Sequence, residues 1–309
     1  MTRVFTFPGQ GSQAVGMGQA LAENSTAAKQ VFAEVDEALG QNLSRLIWDG
    51  PLEELTLTAN AQPALMAVSL AAIAAMAEAG ITVAASAAYV AGHSLGEYSA
   101  LAAAGSLSVA DAARLLRIRG DAMQSAVPVG EGAMAAILGL ELKQVEALVQ
   151  QASVSGVCDV ANDNAPGQVV VSGAKAAVEK AAELAKAEGA RRALMLPVSA
   201  PFHCSLMRPA AQRMADALAD VDLKAPKIPL IANVLAAPVS APDAIRKHLI
   251  EQVTGRVRWR ESIQWLVENG VDEAFEIGAG KVLSGLIKRI APGINASSIN
   301  TPDDIQKML

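Results

Sequence analysis

The chain has 309 residues, 52% hydrophobic and 18% charged, enough for a large core in one large domain or one domain carrying a second. A net charge of −6, no lysine–arginine run and only 3% aromatic residues argue against nucleic acid as a partner. Two distant cysteines, Cys158 and Cys204, and three histidines without an H-E-x-x-H pattern argue against a disulfide scaffold and a catalytic metal, and make a reducing cytoplasm the default.

The N-terminal apolar run is too short for a signal peptide. Residues 4–7 are β-rich and apolar, and read as a short buried strand. Pro8-Gly9-Gln10-Gly11-Ser12-Gln13 breaks it. That loop carries neither a Walker A nor a G-x-G-x-x-G pattern, so it is either a plain turn or a backbone brought close to a reacting group. Val31, Val35 and Leu39 have helical spacing, and Gly40 ends their helix. Residues 42–57 read as loop with short helix. Gln62-Pro63 is expected to open an apolar helix over 64–77, of buried-helix length and too short to span a bilayer.

Residues 87–91 read as the next buried strand. Gly92-His93-Ser94-Leu95-Gly96 follows, and an alanine-rich helix over 98–104 comes after it, stopping at Gly105. Strand, G-x-S-x-G, helix is the context of a nucleophile elbow. A side chain at either glycine would collide with the neighbouring chain, and the serine is pushed to the tip of the turn. The free N–H groups of the new helix then face any oxyanion formed there.

Ser108 to Asp111 resembles a capping box. The helix behind it carries Leu115, Leu116, Ile118, Arg114, Arg117 and Arg119, and Gly120 is expected to end it. Pro128, Gly130 and Gly132 mark a boundary. The next block reads strand 133–138, helix 142–152, strand 157–161, turn 162–167, strand 168–172, helix 174–188 and strand 190–198. That β-α-β-β-α-β order is the ferredoxin-like unit, here an inserted subdomain. The expected division is a core of 1–127 and 198–309 with an insert of 128–197. A helix over 205–220, a strand over 228–234, helices over 242–253 and 261–269, a strand over 274–277 and a helix over 282–290 complete the core, with a short tail behind. Strand–helix alternation in the larger part argues for a mainly parallel sheet with helices on both faces.

A serine hydroxyl needs a base. His93 adjoins Ser94 in the strained turn and is expected to point away. His248 lies on a charged helix and reads as solvated. By elimination the candidate is His203, in an apolar loop framed by Pro197 and Pro201, where the alternative is a buried structural histidine.

Three segments in this order resemble the malonyl-CoA:acyl carrier protein transacylases. They are Pro8-Gly9-Gln10-Gly11-Ser12-Gln13, Gly92-His93-Ser94-Leu95-Gly96-Glu97-Tyr98 and Ala200-Pro201-Phe202-His203-Cys204. Gln62-Pro63-Ala64, Arg119-Gly120, Ala165-Pro166-Gly167-Gln168 and Gly278-Ala279-Gly280-Lys281-Val282-Leu283 add to it, so the likeness covers nearly the whole chain. It implies an α/β-hydrolase-like core with a ferredoxin-like insert and the active site between them. It implies a malonyl group carried on Ser94, His203 as base and acid, and an oxyanion hole from the backbone N–H groups of Gln10 and Leu95. Arg119 would hold the malonyl carboxylate, and the Gln252 region would orient His203 through a backbone carbonyl. Gln62, Asn162, Gln168 and Phe202 would line the substrate site.

The resemblance further implies malonyl-CoA as substrate, no bound cofactor, and a transient acyl carrier protein partner bearing the phosphopantetheine, in cytoplasmic fatty acid biosynthesis. Carrier docking would use a basic patch, with Arg191, Arg192, Lys281, Lys288 and Arg289 as candidates. Ala279 departs from the family, which often has proline there, and Phe202 matches malonyl-selecting members of polyketide type. A serine esterase or thioesterase, a polyketide acyltransferase and a non-catalytic scaffold are the competing readings.

Overall fold

The computed structural model describes residues 1–309. Its ten strands are β1 (Arg3–Phe7), β2 (Tyr89–Gly92), β3 (Gly132–Leu138), β4 (Cys158–Ala165), β5 (Gln168–Ala174), β6 (Arg192–Met195), β7 (Leu230–Ala232), β8 (Ala237–Val239), β9 (Glu273–Ile277) and β10 (Asn295–Ile299). They form two sheets, ordered β10-β9-β1-β2-β7-β8 and β4-β5-β3-β6. In the first, every pair is parallel except the terminal β7–β8 hairpin. In the second, every pair is antiparallel.

The parallel sheet is buried on both faces, and the period of two in its strands decides which core each residue enters. Phe5, Phe7, Val90, Leu230 and Ala232 enter the main core, while Val4, Ala91 and Ile231 enter a smaller one on the opposite face. The main core is filled by Thr26–Leu39, Thr58–Glu78 and Val109–Ser125. The opposite core is covered by Trp259–Glu268 and Val282–Ile290. The antiparallel sheet carries Leu142–Ala152 and Lys175–Ala187 over a third core of its own. Element order and strand order in this body are those of the ferredoxin-like unit.

Several boundaries differ from the sequence expectation. The long apolar helix begins at Thr58 and takes Pro63 into its interior. Packing decides this, because every residue from 60 to 72 is buried. Although 21 residues long and apolar enough to cross a membrane, this helix is a core element, with 83% of its apolar window buried. Gly120 continues its helix instead of ending it. A Cβ there would stand 2.6 Å from Ala59 Cα, so the glycine allows two helices to cross closely. Strand β4 runs through Asn162–Asn164 to Ala165 with register shifts, leaving only Pro166-Gly167 as the turn. Strand β6 pairs only over Arg192–Met195. A short helix, Val83–Ser86, leads into β2. The tail is structured: β10 adds in parallel to β9, and Pro302–Gln306 is a capped helical turn.

Candidate active site

Strand β2 ends at Gly92 and the helix Gly96–Ala103 starts two residues beyond Ser94. A Cβ on Gly92 would lie 1.9 Å from the Gly96 carbonyl carbon, and one on Gly96 would lie 2.3 Å from Phe7 O. Only glycine fits at either place. Ser94 itself takes φ 54°, a left-handed conformation, and so does His203 at φ 58°. Non-glycine residues rarely hold such values unless their surroundings impose them.

Asn233 Oδ1 accepts from Ser94 N at 2.8 Å, and Asn233 Nδ2 donates to Gly92 O at 2.7 Å. One side-chain amide therefore staples the two arms of the elbow. Ser94 Oγ lies 2.7 Å from His203 Nε2. His203 Nδ1 faces two backbone carbonyls, Gln252 O at 2.9 Å and Gly255 O at 3.2 Å. These acceptors fix Nδ1 as the protonated nitrogen and leave Nε2 free to take the serine proton. His203 is buried, and burial, with the Arg119 charge second, pulls its imidazole down to about 3. At neutral pH its imidazole is therefore uncharged, with Nε2 facing Ser94 Oγ.

The close helix crossing at Gly120 brings Arg119 against Gln62. Arg119 is 1% exposed. Its Nη1 donates to Gln62 Oε1 at 2.7 Å, and its Nη2 donates to Gln252 Oε1 at 2.9 Å and to Ser94 Oγ at 3.1 Å. Every acceptor it touches is a neutral oxygen, so a buried guanidinium stands beside the serine with no carboxylate in its fork. Gln10, on the loop after β1, has its side chain held by Thr58 Oγ1 at 2.8 Å. The backbone N–H groups of Gln10 and Leu95 have no partner within the chain, and both residues line the same cavity as Ser94.

That cavity has a volume of about 380 Å³ and lies between the two bodies of the fold. Its walls include Gln62, Arg119, Asn162 and Phe202, together with Met134 and Val170 from the antiparallel sheet. Gln168 is not among them. It lies across the β4–β5 turn, where its side chain accepts from Arg289, which also donates to Pro166 O. The expectation that Gln168 lines the substrate site is therefore corrected: the short turn at Pro166-Gly167 carries it away. His93 is a second correction. It does not point away but lines the cavity, with Nε2 2.8 Å from Asn164 Oδ1 and its ring against Trp259. His248 lies elsewhere, paired with Glu251 at 2.9 Å.

Lys281 and Lys288 border a separate groove of about 690 Å³ along β10, which contains neither the serine nor a histidine. Sequence reasoning missed Asn233, Asn164 and the environment of Glu97. Asn233 bonds a residue 139 positions earlier, and no local pattern reports such a contact. Glu97 had a signal, a carboxylate one residue past the elbow with no solvent-facing place to go. It is 1% exposed, and burial pushes its carboxyl up to about 8 against the opposing pull of its hydrogen-bond donors and Arg119.

The arrangement has the parts needed to form an ester on Ser94: an imidazole in contact with the hydroxyl, two unpartnered backbone N–H groups on residues of the same cavity, and a guanidinium free of carboxylate. The family described as "Acyl transferase domain" matches residues 4–290. The malonyl CoA-acyl carrier protein transacylase of Bacillus subtilis is 48% identical over 303 residues, 98% of this chain and 94% of that protein. A crystal structure of the acyl-carrier-protein S-malonyltransferase of Bartonella henselae is 56% identical, with a TM-score of 0.98 over 100% of this chain and 98% of that one. A malonyl-transacylase solved in complex with its type II PKS acyl-carrier protein is 41% identical, with a TM-score of 0.97 over 100% of this chain and 99% of that one.

Proposed function

The chain belongs to the acyl transferase domain family, and from that premise we propose that it transfers the malonyl group of malonyl-CoA to the pantetheine thiol of an acyl carrier protein. The observation that carries the reading is the meeting of Ser94 Oγ, His203 Nε2 and the carboxylate-free fork of Arg119 within 3.1 Å.

Ser94 Oγ gives its proton to His203 Nε2 and forms a bond to the thioester carbonyl carbon. The carbonyl electron pair moves to oxygen, and the N–H groups of Gln10 and Leu95 donate to that oxyanion. Each such donor typically contributes ~3 kcal/mol to the transition state. The C–S bond then breaks, and the CoA sulfur takes the proton from His203. A pantetheine thiol enters, gives its proton to the same imidazole, and reverses the steps. The thioester supplies the activated acyl group, so the side chains and the two thiols balance the reaction without a bound cofactor.

Arg119 exchanges its neutral acceptors for the malonyl carboxylate, which it can grip with two parallel hydrogen bonds. Pairing also removes part of the charge that depresses His203. The base therefore strengthens when the correct acyl group is bound. Asn162 and Phe202 shape the channel wall. The antiparallel body, residues 128–197, acts as an insert that closes the site over the parallel core. Fatty acid biosynthesis in the cytoplasm is the setting that fits the names of the curated relatives.

Hydrolysis is the competing outcome for any acylated serine. A direct test follows malonyl-CoA with and without an acyl carrier protein. The expected result is malonyl carrier protein as the product and little free malonate. Malonate release that ignores the carrier protein would make the chain a thioesterase.

A further inference from the structure

A buried arginine with no carboxylate in its fork needs an explanation, because an uncompensated charge in the interior is strongly unfavourable. The nearest acid on the hydrogen-bond network is Glu97, also buried. Its two oxygens accept from Asn233 N at 2.5 Å and from Gln252 Nε2. Gln252 Nε2 donates in addition to Ser94 O at 2.9 Å, while Gln252 Oε1 accepts from Arg119 Nη2 at 2.9 Å. Arginine has no acceptor, so the atom facing it must be the amide oxygen. The amide nitrogen then faces acceptors only: Glu97, Ser94 O and, at 3.5 Å, Asn233 Oδ1. The glutamine is thus inserted between the Glu97 carboxyl and the guanidinium, with each end matched to its neighbour.

Resting on the transferase reading above, we propose that Glu97 is a positioning residue for acyl-group selection, acting on Arg119 by fixing the Gln252 amide whose oxygen end meets the guanidinium. Direct pairing of Glu97 with Arg119 would fill the fork that the substrate carboxylate must enter. The interposed amide keeps the carboxyl one side chain away from the guanidinium and leaves the fork free of any carboxylate of the chain's own. It also fixes the Gln252 rotamer, so the oxygen end always meets Arg119 beside Ser94. Gln252 serves the base through its backbone carbonyl, a contact independent of its side chain.

The test is steady-state kinetics of Glu97→Gln with malonyl-CoA and acetyl-CoA. A glutamine there places one donor against another, at Gln252 or at Asn233, and the Gln252 amide loses its fixed sense. The malonyl-CoA KM should rise tenfold or more, while acetyl-CoA kcat/KM stays within about threefold. Equal losses on both substrates would mean a merely structural role and overturn the proposal. So would an unchanged or increased malonyl preference. Gln252→Met gives a second, independent reading should Glu97→Gln fold poorly: it removes the relay but keeps the backbone carbonyl on His203. It should lower the malonyl-to-acetyl ratio of kcat/KM, whatever its effect on overall rate, and retention of that ratio would overturn the proposal. The wild-type chain is the control for the underlying reading. If it showed no preference for malonyl, the transferase assignment would fail before the role of Glu97 was tested.

Discussion

Replacing Arg119 with alanine should change which acyl group the enzyme accepts. Malonyl and acetyl differ by one carboxylate, so discrimination has to come from a group satisfied by that charge. Arg119 is 1% exposed and donates hydrogen bonds only to Gln62, Gln252 and Ser94 oxygens. Its exchange of neutral acceptors for a carboxylate gains charge-assisted hydrogen bonds, each contributing ~1.5–3 kcal/mol. Two of them give ~3–6 kcal/mol, or roughly 10²–10⁴-fold in kcat/KM at 1.4 kcal/mol per factor of ten. Arg119→Ala should lose about that much on malonyl-CoA and hold or gain on acetyl-CoA. Arg119→Lys should recover only part, because a point charge lacks the fork. Both variants are measured with both thioesters, following free CoA. A malonyl-to-acetyl ratio unchanged in Arg119→Ala would refute the reasoning and send the search to another cation.

His203→Ala should slow acylation and transfer alike, by ~10²–10⁴-fold, since one imidazole serves both steps; rapid-quench rates for each half-reaction check it, and a larger loss in His248→Ala would reverse the choice of base. Gly92→Ala should destabilise the fold by ~3 kcal/mol or more, because its Cβ would stand 1.9 Å from the Gly96 carbonyl carbon; urea unfolding measures this, and near-wild-type stability would contradict the elbow geometry. His203, depressed to about 3 in the fold from an ordinary value of 6.5, makes the unfolded chain bind more protons between those values. Its contribution to stability is therefore complete above about pH 6.5 and falls away as pH drops toward 3. His203→Gln should flatten that acid slope in a pH series of unfolding curves, and an unaltered slope would show that the imidazole is not buried neutral.

The elbow was legible because its information is local. Two glycines, a strand and a helix lie within a few residues, and the clash that demands Gly92 is with Gly96, a near neighbour; only the Gly96 clash, with Phe7 on the adjoining strand end, needs the fold. The antiparallel body was legible because its helices and strands alternate with clear periods. Pro63 and Gly120 misled for one reason. Propensity marks both as helix ends, while tertiary packing keeps both inside helices and uses the missing Gly120 side chain for the crossing that delivers Arg119. Strand β10 was missed because Asn295, Ser297 and Ser298 weaken its strand signal, and pairing with β9 supplies the rest. His93 was placed by reasoning about the turn alone, yet its partner Asn164 comes from the other body. The Asn233–Glu97–Gln252 network joins residues more than a hundred positions apart, and only the folded chain brings them together.

The central claim is that the acyl group passes through Ser94. Brief exposure to malonyl-CoA without carrier protein, followed by intact-mass spectrometry and peptide mapping, tests it most directly. A single malonyl adduct is expected on the peptide containing Ser94, discharged when carrier protein is added and missing from Ser94→Ala. An adduct that persists in Ser94→Ala, or maps to another residue, would contradict it.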